Sequence, residues 1–445
     1  MRIRDYNEIV GEKAINELHK LSEGLKDKRI IMINSTNKGG GVAEILLRLV
    51  PMLNRLGIKT EWLVLNGEKD FFNATKSFHN ALQGQPHGDI KLQILKYQGF
   101  YDTKLRELNQ HIIDCLENTC DSDIVVVHDP QPLNLIIHRK EDGSKWIWRE
   151  HIDTSKPDKI LGKYVYGLAA NYDKTIVSKK EFIKGNPKKY EVIPPSIDPF
   201  TNKNKELSEK ELKKILRKYC IPTDKPIISQ ISRLDKWKDP IGVIDVFKEV
   251  RKKINCKLIL AYNSAADDPE GEMMERVVKA EQEEYCEDII LFGVHDDLLV
   301  NALQRVSDVV LQKSLKEGFA LTVSEALWKK TPVVATKVGG IPLQIKHGKN
   351  GYLVKGYKIK GDGSPVNIED RNMHIHKTAK YVIDILSDPV KRKRMGEYGK
   401  EIVRKNFLIT RHAKDYLELF NDLYNCQKVI ETISSSTPSG SRQKE

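Results

Sequence analysis

The sequence predicts two α/β domains, each a doubly wound parallel sheet with helices on both faces. The chain has 445 residues, more than one hydrophobic core usually organises. Strand-like and helix-like segments alternate in two rounds, parted near Pro194-Pro195-Ser-Ile-Asp-Pro199. Strands run into glycine-rich or charged loops that open helices, as βαβ units do. The expected division is residues 1–198 for an N-terminal domain and 199–410 for a C-terminal one. A helix over about 411–430 is expected to cross back to the first domain, and a Ser, Pro and Gly tail, 434–445, to be disordered.

In the first half, Arg29 to Ile33 reads as a short strand, and Asn34-Ser-Thr-Asn-Lys-Gly-Gly-Gly41 follows it. A helix comes next, with Val42, Ile45, Leu46, Leu49, Leu53 and Leu56 on one face and Gly57 placed to end it. Further strands are expected at Glu61 to Leu65, Ile124 to Val127, Trp146 to Trp148, Thr175 to Val177 and Tyr190 to Ile193. The second half supplies Pro226 to Ile231, Lys257 to Tyr262, Ile289 to Phe292, Val309 to Gln312 and Pro332 to Ala335. Thr322 to Trp328 has helical spacing, Gly356 to Asn367 reads as a loop, and Ala413, Tyr416, Leu417, Leu419, Phe420 and Leu423 mark the terminal helix.

Composition narrows the function. With 40% hydrophobic and 31% charged residues and no apolar run near the roughly 18 residues of a span, no membrane segment is expected. The N-terminus lacks a secretory pattern, so a cytoplasmic protein is expected. Net charge is +12, but Lys and Arg are interleaved with acids throughout, which speaks against nucleic acid as a partner. The charge suits an anionic small substrate, and a Lys-rich coding bias explains it equally well. Six scattered cysteines form no CxxC pair and no zinc-like spacing.

The candidate chemistry lies where strands end. Glu317 and Glu325 bracket the turn Gly318-Phe-Ala-Leu321 that opens a helix, and free N–H groups there can face a diphosphate. Glu317 would accept sugar hydroxyls and Glu325 would reach a ribose; a loop acid plus a solvated helix acid is the competing reading. Gly39-Gly40-Gly41 brings backbone amides close to a ligand, with a structural glycine turn as its competitor. Its spacing is neither GxGxxG nor a P-loop. After the strand ending at Ile231 come Arg233 and Lys238, a planar fork and a point charge able to neutralise a diphosphate without a metal. Solvated loop charge is the alternative there. Asp129, in His128-Asp-Pro-Gln131, and His151, in Arg149-Glu-His-Ile-Asp153, fall at the same edge and could hydrogen-bond a sugar or cap a helix. Asp121-Ser-Asp123 precedes its strand and sits at the wrong edge for a metal. No nucleophile elbow is present.

Together these residues resemble the family 4 GT-B glycosyltransferases, through the E-x7-E pair, the strand-end Arg and Lys, and the Gly-rich first loop. More specific stretches are similar to the trehalose glycosyltransferring synthases of that family. They are Phe71-Phe-Asn-Ala-Thr-Lys-Ser-Phe-His-Asn-Ala-Leu-Gln-Gly84, His128-Asp-Pro-Gln-Pro132, His151-Ile-Asp-Thr-Ser155, Ile193-Pro-Pro-Ser-Ile-Asp198, Asp267-Asp-Pro-Glu-Gly271 and Gly293-Val-His295. The resemblance covers about residues 5 to 425.

It implies two facing Rossmann-like domains that close on a cleft, and reversible, retaining transfer of glucose from a nucleoside diphosphate glucose to free glucose, giving trehalose. By analogy Arg233 and Lys238 hold the diphosphate, assisted by Gly40, Gly41 and the amides of Phe319, Ala320 and Leu321. Glu325 then binds the ribose, Glu317 grips the donor glucose, and Asp129 and His151 lie at the sugars. No tightly bound cofactor and no DxD-type metal site are implied, a divalent cation entering only as a stimulant. The partners are the small substrates, with a homodimer left open. Alternatives within the fold are a retaining trehalose phosphorylase using glucose 1-phosphate, or another acceptor. Ala320 departs from the pattern where a Gly is expected; a positive φ there would put donor affinity in doubt.

Overall fold

The computed structural model describes residues 2–38, 40–84, 88–262, 269–283, 285, 287–293, 296–360 and 364–435. Gly39, Asp267, Asp268, Val294, His295 and the tail after Ser435 lie outside them.

Two six-stranded parallel sheets organise the chain. The first contains β1 (Arg29–Asn34), β2 (Lys59–Val64), β3 (Asp123–His128), β4 (Lys145–Arg149), β5 (Lys174–Val177) and β6 (Tyr190–Val192), in the order β2-β1-β3-β4-β5-β6. The second contains β7 (Ile227–Ile231), β8 (Lys257–Tyr262), β9 (Ile289–Gly293), β10 (Val309–Gln312), β11 (Val333–Thr336) and β12 (Gly351–Val354), in the order β12-β11-β10-β7-β8-β9. The doubly wound expectation holds. β12 is the strand that sequence reading omitted: only four residues long, it starts at Gly351, where a Cβ would overlap the Val333 carbonyl oxygen of the neighbouring strand. That close approach requires glycine, and glycine at a strand start hides the β signal.

Parallel strands are buried on both faces, and alternate residues feed different cores. In the first sheet Ile31, Ile33, Val125 and Val127 pack with Phe71, Phe78 and Tyr97, whereas Ile30, Met32, Ile124 and Val126 pack with Leu46, Leu49 and Leu53. The second core also takes Ala413, Tyr416, Leu417 and Phe420 from the terminal helix Ile409–Ser435. That helix therefore belongs to the first domain's packing. Asn421 Nδ2 donates to the Leu21 carbonyl at 2.9 Å, and Lys414 pairs with Glu17 at 2.7 Å. Among the described residues no helix is long and apolar enough to cross a membrane.

Strand order reverses beside β1 in the first sheet and beside β7 in the second. The loops after β1 and β3, and those after β7 and β10, therefore diverge and leave a crevice at the carboxyl edge of each sheet. The Asp121-Ser-Asp123 pair lies at the opposite edge, where Asp123 is held by Arg29 at 2.7 Å.

Phe420 is fully buried in the crossing helix. Phe420→Ala should cost about 3–5 kcal/mol in chemical denaturation; a loss under about 1 kcal/mol would mean that the helix does not carry the first domain's core.

Candidate active site

On the C-terminal side, β7 leads into Ser232 and Arg233, and the 3-10 turn Lys236–Lys238 follows. The Asp235 carboxylate accepts the Trp237 and Lys238 amides, at 2.9 and 3.1 Å, and so fixes the turn. Lys238 Nζ then meets Glu317 Oε2, from the loop after β10, at 2.5 Å. The same Oε2 accepts Ser314 Oγ at 3.2 Å and Gln312 Nε2 at 3.5 Å. Three donors crowd one oxygen, and among the described residues none bonds Oε1. Behind the pair, Asp239 adopts φ 48° and binds the buried Lys313, and Tyr357 donates to Asp239 Oδ2 at 2.7 Å. Tyr357 thereby fastens the loop that begins at Gly356 to the back of the site.

The helix Leu321–Trp328 starts at Ala320, which has φ 71° and offers no side-chain acceptor to the first amides. Asp235, Asp239 and Asp296 cap their own helices with carboxylates. Among the described residues no side chain caps the amides at Leu321 and Thr322, which suits them to an anionic ligand. Ala320 is held in the left-handed region by Gln344, whose Nε2 donates to the Phe319 carbonyl at 2.6 Å and to the Ala320 carbonyl at 3.3 Å. The positive φ is thus real, the costlier of the two cases that the sequence left open.

On the N-terminal side, His128 ends β3 and Arg149 ends β4, paired in register. Asp129 turns away with φ 64°, and its Oδ1 accepts the His151 backbone N–H at 2.9 Å. His128 Nδ1 and His151 Nε2 are 3.1 Å apart, and His128 Nε2 is 3.4 Å from Met32 Sδ. A thioether only accepts, so His128 carries its proton on Nε2, His151 donates from Nε2, and His151 Nδ1 keeps a lone pair. Burial and the Arg149 guanidinium hold both imidazoles neutral, His128 down to about 3 and His151 well below the usual range. Burial pushes the Asp129 carboxyl up to about 6, against the opposing effect of the His151 amide.

The two sides touch. Gly318, next to Glu317, lies so close to the His151 carbonyl oxygen that a Cβ would overlap it, and a Cβ on Gly41 would stand 3.7 Å from Leu321 Cδ1. Lys238, Glu317, Gly318 and the start of the helix at Leu321 are thus brought against His151 and Gly41, with Gly40 beside it at φ 74°. Arg233 is exposed and pairs with Asp235 at 3.1 Å. Glu325 is not a solvated helix acid: it is buried, with Gln304 Nε2 on its Oε2 at 3.2 Å. His79, which sequence reading passed over inside the Phe71 to Gly84 stretch, faces the cluster. Burial, then the charges of Arg233 and Lys238, hold its imidazole down to about 4. The only sequence signal for it was the specificity of that stretch.

Glu150, between Arg149 and His151, accepts Tyr166 and Thr154 hydroxyls, both at 3.2 Å, and burial pushes its carboxyl up to about 8. A raised folded value means that the unfolded chain ionises first, so this group's stabilisation falls as pH rises from the ordinary carboxylate range to about 8. Glu150→Gln removes that loss. Its thermal midpoint relative to wild type should rise between pH 5 and pH 8; a constant difference would contradict burial as the cause.

Known proteins share this architecture. Residues 32–184 match the family model described as trehalose synthase, N-terminal domain, and residues 212–361 match that of glycosyl transferases group 1. A trehalose synthase of Thermococcus litoralis is 41% identical over 426 residues, covering 94% of this chain and 97% of that protein. A trehalose phosphorylase of Pleurotus pulmonarius is 27% identical, over 89% of this chain and 58% of its own length. In fold, an α,α-trehalose-phosphate synthase (UDP-forming) from Burkholderia xenovorans, solved with glucose-6-phosphate, aligns with a TM-score of 0.69 at 12% identity, over 89% of this chain and 100% of that one. With both family models matched and 41% identity to a trehalose synthase over nearly the whole of both chains, the chain belongs to the trehalose synthase family of GT-B glycosyltransferases.

Proposed function

We propose that the enzyme moves glucose from a nucleoside diphosphate glucose to the anomeric hydroxyl of free glucose, with retention, forming α,α-trehalose reversibly. The observation that carries this reading is the Lys238–Glu317 pair beside the uncapped helix start at Leu321. A cation and free amides suit a diphosphate, and an open carboxylate oxygen suits sugar hydroxyls. Lys238 and Arg233 neutralise the diphosphate as its oxygen takes the electron pair of the breaking C1–O bond, assisted by the amides at Gly40, Gly41 and Phe319 to Leu321. Glu317 Oε1 orients the donor glucose, and Glu325 receives the ribose. Asp129 and the His151 Nδ1 lone pair accept sugar hydroxyls. The acceptor oxygen forms its bond to C1 on the face that the diphosphate leaves, and its proton passes to the departing phosphate oxygen. Three donors on Glu317 Oε2 make that carboxylate a poor nucleophile, which fits a path without a glycosyl-enzyme intermediate.

The likeness to a trehalose phosphorylase supports a second reading, glucose 1-phosphate as donor. Chromatography of products from glucose with UDP-, ADP- or GDP-glucose, against glucose with glucose 1-phosphate, separates the two. Trehalose from a nucleotide donor alone is the expected result, and trehalose from glucose 1-phosphate alone would overturn it.

Two variants probe the machinery. Glu317→Gln and Lys238→Met should each lower kcat/KM by about 10²–10³-fold, and the double variant by little more than the worse single one, because the two groups act as a unit. Additive losses would show that they act separately. Gly318→Ala should cost about tenfold or more in kcat/KM with a nearly unchanged thermal midpoint, because its methyl pushes the two sides of the site apart without entering either core. Full activity would mean that the contact with His151 is not needed for the reaction.

A further inference from the structure

The segment between the two sheets is fastened to the C-terminal domain by side chains that grip its backbone. Asn301 Nδ2 donates to the carbonyl oxygens of Asn202 and Lys205, both at 2.8 Å, and Arg305 Nη2 donates to Lys205 at 2.9 Å. Trp328 Nε1 donates to the Asn204 carbonyl at 3.1 Å, and Lys329 Nζ to its side-chain oxygen at 2.8 Å. From this base Lys203 reaches back across the domains. Its Nζ lies 2.8 Å from Glu44 Oε1 on the first-domain helix Gly40–Arg55, 3.9 Å from Glu325 Oε1 and 3.8 Å from Asp297 Oδ1.

We infer that Lys203 is a positioning residue for the donor, the shared counter-ion that lets Glu44 of one domain approach Glu325 of the other and so couples domain apposition to ribose binding. The inference rests on the reading of Glu325 as the ribose acceptor. Burial and the nearby Glu325 charge raise the Glu44 carboxyl above its usual range, and Lys203 opposes both. Without the ammonium, two carboxylates from opposite domains face each other on a partly buried surface, where repulsion is weakly screened. Gln304 holds Glu325 Oε2, so Oε1 is the oxygen that Lys203 steadies and that a ribose hydroxyl would reach.

Calorimetric titration with UDP, ADP and GDP, together with steady-state kinetics, tests the coupling on Lys203→Met, Lys203→Arg, Glu44→Gln and the Lys203→Met/Glu44→Gln pair. Lys203→Met should bind the preferred nucleotide about tenfold more weakly and raise the donor KM to match, with kcat within about twofold. Adding Glu44→Gln should recover most of that loss, because one of the opposed charges is gone, and Lys203→Arg should behave as wild type. Should Lys203→Met not fold, Glu44→Gln alone, on a side chain that is 34% exposed, still decides: it should leave nucleotide binding equal or tighter. Unchanged affinity in Lys203→Met, a loss that Glu44→Gln does not relieve, or weaker binding in Glu44→Gln alone overturns the coupling and leaves the donor reading intact. Wild-type protein that binds none of the three nucleotides overturns both.

Discussion

The Lys238–Glu317 ion pair joins loops that leave neighbouring strands, β7 and β10, at the place where strand order reverses. Holding two charges this close and this poorly hydrated requires each to be fixed by other polar groups, because a buried charge left without partners is expensive. The surroundings provide that. Asp235 builds the turn that aims Lys238, and Ser314 and Gln312 hold one oxygen of Glu317. Asp239, Lys313 and Tyr357 form a second buried charge cluster behind it. The cost of ordering these groups is met before substrate arrives, so the diphosphate of the proposed donor would find a cation and a helix start already in position.

The first domain offers the opposite kind of surface. His128 and His151 are neutral and hydrogen-bonded to each other, and Asp129 is spent partly on the His151 backbone amide. Sugar hydroxyls need acceptors and donors more than they need charge, and in the proposed reaction a neutral imidazole pair would supply them without repelling Lys238 across the cleft. Gly318 against the His151 carbonyl brings the two surfaces into contact, and such contact is what excludes water from an activated sugar.

Much of the fold was legible because central parallel strands buried on both faces read as short apolar runs, such as β1, β3 and β7, and eleven of the twelve described strands were placed from the sequence. β12 did not, since Gly351 answers to a close backbone approach rather than to β-propensity. The site residues were legible as loop positions after strands, and Lys238, Glu317, Asp129 and His151 do converge. Their partners were not, because strand order and domain apposition are long-range facts: nothing local to Lys203 points to Glu44, and nothing local to His79 points to Lys238. The competing reading of Glu325 as a solvated helix acid fails for a related reason. The helix Leu321–Trp328 is buried almost all round, so an acid on it cannot be assigned to solvent by periodicity. Ala320 shows the reverse, a residue whose conformation followed from its place in the turn despite its side chain.

A crystal structure with the preferred nucleoside diphosphate and trehalose bound is the most direct measurement. The expected result is a diphosphate within hydrogen-bond reach of Lys238 Nζ and the amides at Leu321, a glucose hydroxyl on Glu317 Oε1 and the ribose on Glu325. A diphosphate bound away from β7 and β10, with the Lys238–Glu317 pair untouched, would contradict the role given to that pair.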